Sequence, residues 1–152
     1  MRHSVLALII LAVVLSVSCI VPGAAVSPSS PVIDFEIINP EDMTGSSKAA
    51  PNYGSVTQGE RDPYTHYVER TDTLFEVSLQ WDKTSNNVLQ MIVYPPSGSP
   101  IYLKDEDDGS INGRIAARTA LPGDAVGATW RVTVEGLQVE GSQPYTLIIN
   151  ST

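Results

Sequence analysis

Apolar residues recur at every second position through much of the chain. Between 75 and 81, Phe75, Val77, Leu79 and Trp81 alternate with Glu76, Ser78 and Gln80. That is the pattern of a strand with one face on a core and one face in water. Between 88 and 94, Leu89, Met91 and Val93 share a face, and Val88, Ile92 and Tyr94 make the other face apolar as well. The polar stretch 82–87 contains Asn86-Asn87, so the simplest reading joins the two runs as an antiparallel hairpin at the centre of a β fold. Trp130, Val132 and Val134 alternate within 129–135, and Tyr145, Leu147 and Ile149 do so near the end. Shorter runs occur at 32–38, 56–58, 64–68, 101–103 and 111–117. Turn formers separate them: Asn39-Pro40, the charged stretch 60–63, the Pro/Ser/Gly cluster 95–100, the acidic stretch 105–109, Leu121-Pro122-Gly123-Asp124, and Gly141-Ser142-Gln143-Pro144. No segment beyond residue 25 keeps a helical period over ten residues.

This pattern predicts an all-β fold, an antiparallel β-sandwich or a jelly roll with seven to eight strands. Phe75, Val77, Leu79, Trp81, Trp130, Val132, Val134, Tyr145, Leu147 and Ile149 are the expected core between its two sheets. The 152 residues suffice for one such domain and not for two.

The start of the chain follows a different rule. Arg2 and His3 precede an unbroken apolar run from 5 to 15, extended to Val21, and then Pro22-Gly23-Ala24-Ala25. A basic start, an apolar stretch and small residues are the parts of a secretory signal peptide, with cleavage expected after Ala25. The competing reading is an uncleaved membrane anchor. Cys19 is the only cysteine. It is a lipidation candidate, but the Leu usual three residues upstream is missing. The expected division is 1–25 signal, 26–53 a linker with an edge strand, and 54–152 the β-sandwich. Cleaved after Ala25, the domain has no disulfide to staple it.

A formal charge of −8 excludes the basic surface that nucleic acid requires. Contact with a membrane is expected only through the N-terminal segment, if it is uncleaved. The densest polar cluster is Asp105-Glu106-Asp107-Asp108-Gly109. Calcium takes six to eight oxygens, so Asp105, Asp107 and Asp108 are the candidate metal ligands, with Asp62 or Asp124 as more distant donors. The alternative is a solvated acidic turn. His66 is the only histidine beyond the leader. No elbow serine, zinc-binding helix motif or cysteine nucleophile accompanies it, so no catalytic residue is assigned and His66 is read as a strand surface residue. Tyr53, Tyr64, Tyr67, Tyr94 and Tyr102 form a candidate ring-bearing face for sugar or peptide, against the plainer reading of rings at the core rim. Asn150-Ser151-Thr152 has the form of a glycosylation sequon, which at this position is expected to be fortuitous.

Several segments together resemble the bacterial and archaeal pre-peptidase C-terminal domain family, most of all its archaeal secreted form. They are Val56-Thr57-Gln58-Gly59-Glu60, Tyr67-Val68, the alternation ending at Trp81, Val93-Tyr94-Pro95-Pro96-Ser97-Gly98, the stretch from Asp108 to Ile115, and Trp130 to Gly136 with Tyr145-Thr146-Leu147. The resemblance spans about residues 54–150 and rests on glycines, aromatics and alternation. It implies a jelly-roll-like sandwich appended to secreted hydrolases, assisting secretion, surface retention or substrate attachment, in some relatives with calcium in the loops. No protease domain accompanies it here. The expected role is therefore a non-catalytic accessory or binding domain, secreted or at the cell surface, whose partner is an extracellular protein or polysaccharide. A carbohydrate-binding module is the alternative, and a small secreted hydrolase comes third.

Overall fold

A computed structural model describes residues 33–44, 49–83 and 86–152. The expected signal segment, Cys19 and the Pro/Ser tract at 27–31 lie outside the described residues. Nine strands are present among the described residues: β1 (Glu36–Ile37), β2 (Asn52–Val56), β3 (Arg61–Val68), β4 (Leu74–Trp81), β5 (Val88–Tyr94), β6 (Ile101–Lys104), β7 (Arg114–Ala120), β8 (Ala128–Gln138) and β9 (Gln143–Ser151). Short 3-10 turns occupy Pro40–Asp42 and Asp105–Asp108. The strands form two antiparallel sheets, a five-stranded one ordered β1-β7-β4-β9-β2 and a four-stranded one ordered β3-β8-β5-β6. The architecture is the expected antiparallel sandwich. The count is nine instead of seven or eight; β1 falls within the run 32–38, where an edge strand is expected, and β2 starts at Asn52, ahead of the run expected at 56–58.

The expected central hairpin does not form. β4 lies in the middle of the five-stranded sheet, where β7 and β9 take both of its edges, while β5 pairs with β6 and β8 in the other sheet. Alternation specifies which face of a strand is apolar and leaves its neighbour open. The loop 82–87 is long enough to cross the roughly 10 Å between packed sheets. Asn87 secures its far end. The Trp81 indole donates to the Asn87 carbonyl at 3.1 Å, the Asn87 amide donates to Gln143 Oε1 at 2.9 Å, and Asn87 Oδ1 accepts the Glu140 N–H at 2.8 Å. The asparagine that reads as a hairpin turn residue is a clamp on a crossover.

The charged stretch at Arg61-Asp62-Pro63 belongs to β3 and is not a turn. β3 is a sheet edge, paired on one side with β8 only. Pro63 therefore removes no ladder bond that the sheet needs.

All ten expected core residues are buried, joined by Leu89, Met91 and Val93 from β5. At the centre the Phe75 and Trp130 rings stack at 4.4 Å, one from each sheet. The edges of Phe35 and His66 close on Phe75 at 6.4 and 5.9 Å. The Trp130 N–H reaches the Ala125 carbonyl at 2.9 Å, so the burial leaves no orphaned donor there.

Part of the outer face of the five-stranded sheet is also covered. Glu76 is fully buried there. Its carboxylate accepts the Thr44 N–H and hydroxyl, each at 3.0 Å, and the Asn150 amide at 3.1 Å. These bonds latch the segment after the first 3-10 turn onto β4. They also engage the sequon asparagine, which is buried.

Truncating the central ring tests whether the two sheets depend on one another. Trp130→Ala is expected to lower the unfolding free energy by about 3–5 kcal/mol. In denaturant titrations, backbone circular dichroism and Trp81 fluorescence should still fall in one coincident transition. Separate transitions would mean that each sheet holds by itself.

Candidate functional site

The outer face of the four-stranded sheet carries most of the exposed rings. Trp130, Val132, Leu103 and Val93 point inward, so their neighbours along each strand point out. Tyr102 lies opposite Ile92, Tyr94 opposite Arg131, Arg131 opposite Thr65, and Tyr67 opposite Thr129. The steps from Tyr102 to Tyr94 and from Arg131 to Tyr67 each advance two residues in the same direction, while Tyr94 and Arg131 stand directly opposite, so the four residues run obliquely across the sheet. With ordinary strand spacing and rise, Tyr102 and Tyr94 are about 8 Å apart, Tyr94 and Tyr67 about 12 Å, and the whole diagonal runs about 20 Å. Tyr67 and Tyr102 are 53% and 55% exposed, enough for a ring face to meet a ligand. The Arg131 guanidinium lies over the Tyr94 ring, with Cζ 4.0 Å from its centroid, so the two act as one cation–π unit. Arg61 pairs with Glu135 at 3.0 Å at one end of the face.

The five candidate tyrosines therefore do not form one face. Tyr53 stands 76% exposed on β2, at the edge of the other sheet. Tyr64 turns inward to a polar cluster at one end of the sandwich. Both Tyr64 and Tyr145 donate to Asp62 Oδ2, Tyr64 at 2.9 Å, and the two phenolic oxygens lie 2.8 Å apart. Burial, then hydrogen bonding to Asp62, raises the Tyr145 hydroxyl far above the ordinary phenol range, and Tyr64 is raised first by burial. Both phenols stay protonated and donate. Gly54 lies over this cluster, where a Cβ would collide with the two hydroxyl groups. Beside it opens a cleft of 770 Å³ bordered by Tyr53, Trp81, Asp82, Glu140 and Tyr145. The sequence pattern did not signal this cleft, because its walls come from four separate segments. It offers one exposed ring where the sheet face offers a row.

The acidic turn folds on itself. Asp105 is buried, and its carboxylate accepts the N–H groups of Asn112 (3.1 Å), Gly113 (2.9 Å) and Arg114 (3.2 Å). Asp107 accepts the Lys104 N–H at 2.7 Å, and Asp108 accepts the Ser110 N–H at 2.8 Å. Asp62 holds the tyrosines, and Asp124 lies on another turn, within 3.5 Å of the Ser97 hydroxyl. A calcium ion needs six or more oxygens converging on one point. Among the described residues no three carboxylate or imidazole groups converge in this way. Asn112 Oδ1 is buried without a hydrogen-bond partner, beside the Asp105 and Asp108 carboxylates that engage the same loop.

His66 is half-buried on the inner side of β3, where it meets Phe75, and is not the surface residue its strand position suggests. Its Nε2 lies 2.9 Å from Ser151 Oγ, and Ser151 donates to Asp72 Oδ2 at 2.6 Å. The three residue types of a hydrolytic triad thus meet, in the wrong order. An ionised Asp72 only accepts, so the serine proton goes to it, and Nε2 must donate to Oγ. The imidazole is then no base toward that serine. The serine and the aspartate were not legible as partners of His66, since Ser151 is 85 positions away.

No family model and no curated protein matches the chain. Among solved structures, its fold is similar to the pre-peptidase C-terminal domain of a collagenase from Bacillus anthracis. The TM-score is 0.51 at 15% identity, covering 67% of this chain and 89% of that one. The CspB protease of Clostridium perfringens is matched at a TM-score of 0.46 and 12% identity, over 68% of this chain and 26% of that one. At these identities the likeness is one of fold.

Two measurements follow from the polar clusters. Asp105→Ala leaves buried N–H groups without a partner and is expected to cost about 2–3 kcal/mol. That loss should be equal in millimolar calcium and in chelator. Burial lowers the His66 pKa, with Asp72 opposing. Above about 6.5, the ordinary histidine value, folded and unfolded chains are both neutral at this position. Below it the unfolded chain takes the proton first, so stability falls with pH until the folded value is passed. His66→Gln should flatten that fall in a series of denaturant titrations; an unchanged slope would show that His66 is not its source.

Proposed function

We propose that this chain is a non-catalytic binding domain that works outside the cell, as an accessory to other extracellular proteins or at the cell surface. The observation that carries the reading is the diagonal of Tyr102, Tyr94, Arg131 and Tyr67 on the outer face of the four-stranded sheet. Large rings left in solvent on a rigid sheet are contact area available at little entropic cost. The groups that might have done chemistry have structural employment instead. The Ser151 hydroxyl donates its hydrogen bond to Asp72, and Asp62 holds two tyrosines. The leader-like residues 1–25 support placement outside the cell. So does the fold likeness to a domain whose description ties it to a collagenase. The partner is an extracellular protein or polysaccharide.

Sedimentation with insoluble extracellular polymers, both cell-wall material and collagen-like protein, tests this reading. The wild-type chain should pellet with at least one of them, and the double variant Tyr67→Ala/Tyr102→Ala should stay in the supernatant with its melting temperature unchanged. Ester, peptide and glycoside substrates should show no turnover above background. Hydrolysis that Ser151→Ala removes would replace this function with the hydrolase one.

A further inference from the structure

We propose that the diagonal on the four-stranded sheet binds a linear polysaccharide whose sugars carry carboxylates, an inference that rests on the binding-domain reading above. Three features of the face point to this ligand.

The first is shape. The face is built from four antiparallel strands and presents a track instead of a pocket. Rings succeed one another along it over about 20 Å, a length that suits several consecutive units of an extended chain. Sugar rings pack their apolar C–H faces on aromatic rings, so Tyr102 and Tyr67 serve as two stations with the Tyr94–Arg131 platform between them.

The second is charge. The chain is acidic overall, with a formal charge of −8. The strand positions that face outward on this sheet run the other way. Arg61, Lys104 and Arg131 are basic and Glu135 is the one acid, taken from the registers of Arg61 with Glu135, Glu135 with Gln90, and Gln90 with Lys104. Arg61 is matched by Glu135 at 3.0 Å, and Lys104 approaches Glu106 at 3.7 Å. Among the described residues no carboxylate pairs with Arg131. Its guanidinium, a planar fork of N–H donors, lies over Tyr94 in the middle of the track, with Cζ 4.0 Å from the ring centroid. That fork geometry suits bidentate carboxylate binding, which a lysine would not reproduce.

The third is the floor between the rings. Gln90 and Thr133 are polar and buried among these neighbours, and Ile92 is fully buried. The track is thus packed and already ordered, so a ligand would not have to organise it.

The test uses the full chain and polygalacturonate as probe, with the methyl-esterified polymer and a neutral glucan as comparisons, in affinity electrophoresis and calorimetry. Polygalacturonate should be bound and the methyl ester bound at least tenfold more weakly. Tyr67→Ala and Tyr102→Ala should each weaken polygalacturonate binding about tenfold; both side chains are more than half exposed, and unchanged melting temperatures would confirm that the fold is intact. Arg131→Gln should erase the preference for free carboxylate while leaving some binding to all three polymers. Binding should weaken as salt rises, since screening acts on the cation. Equal binding of the acid and its ester, or binding that the tyrosine variants do not alter, would overturn the proposal. Retention on collagen-like protein that depends on Tyr67 and Tyr102, without any on polygalacturonate, would overturn the polysaccharide and keep the binding domain. Tyrosine variants that pellet like wild type with every polymer would remove both.

Discussion

The stack of Phe75 on Trp130 joins two sheets that cannot be built one at a time. Of the connections from β2 onward, only β5 to β6 stays within a sheet. Every other link carries the chain across the core, so each strand meets its sheet neighbours only after distant parts of the chain have returned. The ring pair at 4.4 Å is where these returns converge, with one partner on β4 and the other on β8. Polar contacts then tie β9 of one sheet to β3 of the other near both ends. Tyr145 reaches Asp62 and Tyr64 at one end, and Ser151 reaches His66 at the other. These are the short-range, directional bonds that apolar packing lacks, and they set the register between the sheets. Non-local pairing of this kind makes slow folding the expectation.

What could be read from the chain divides along a physical line. Side-chain period depends on local sequence alone, and it identified the inward residues of β4, β8 and β9 correctly. Strand pairing depends on which edges remain free. Nothing local told β4 that β7 and β9 would occupy its two sides, so the hairpin with β5 was the natural mistake. The same division holds at the polar sites. Asp105 looked like a ligand because acids were dense around it, whereas its oxygens face three backbone N–H groups seven to nine positions onward. Glu76 read as a wet position in an alternating strand and turned out fully buried. The segment that buries it follows no periodic pattern. The tyrosines were visible as residues, but their sorting into an outer row, an inner latch and a lone edge ring required the registers.

Glu76, Asp62 and Asp105 each hold parts of the architecture together by hydrogen bonds. On the five-stranded sheet Glu76 holds Thr44 across part of the outer face. On the outer face of the four-stranded sheet Tyr102 and Tyr67 stand more than half exposed, with Tyr94 and Arg131 between them. A rigid sheet with rings in fixed places asks for no conformational change on binding. The most direct measurement is a backbone amide NMR titration of the chain with a short oligomer of galacturonate. Shift changes are expected to cluster at Tyr67, Tyr94, Tyr102, Thr129 and Arg131, with the core amides of β4 unmoved. Changes confined to the cleft of Tyr53, Asp82 and Glu140, or none at all, would contradict it.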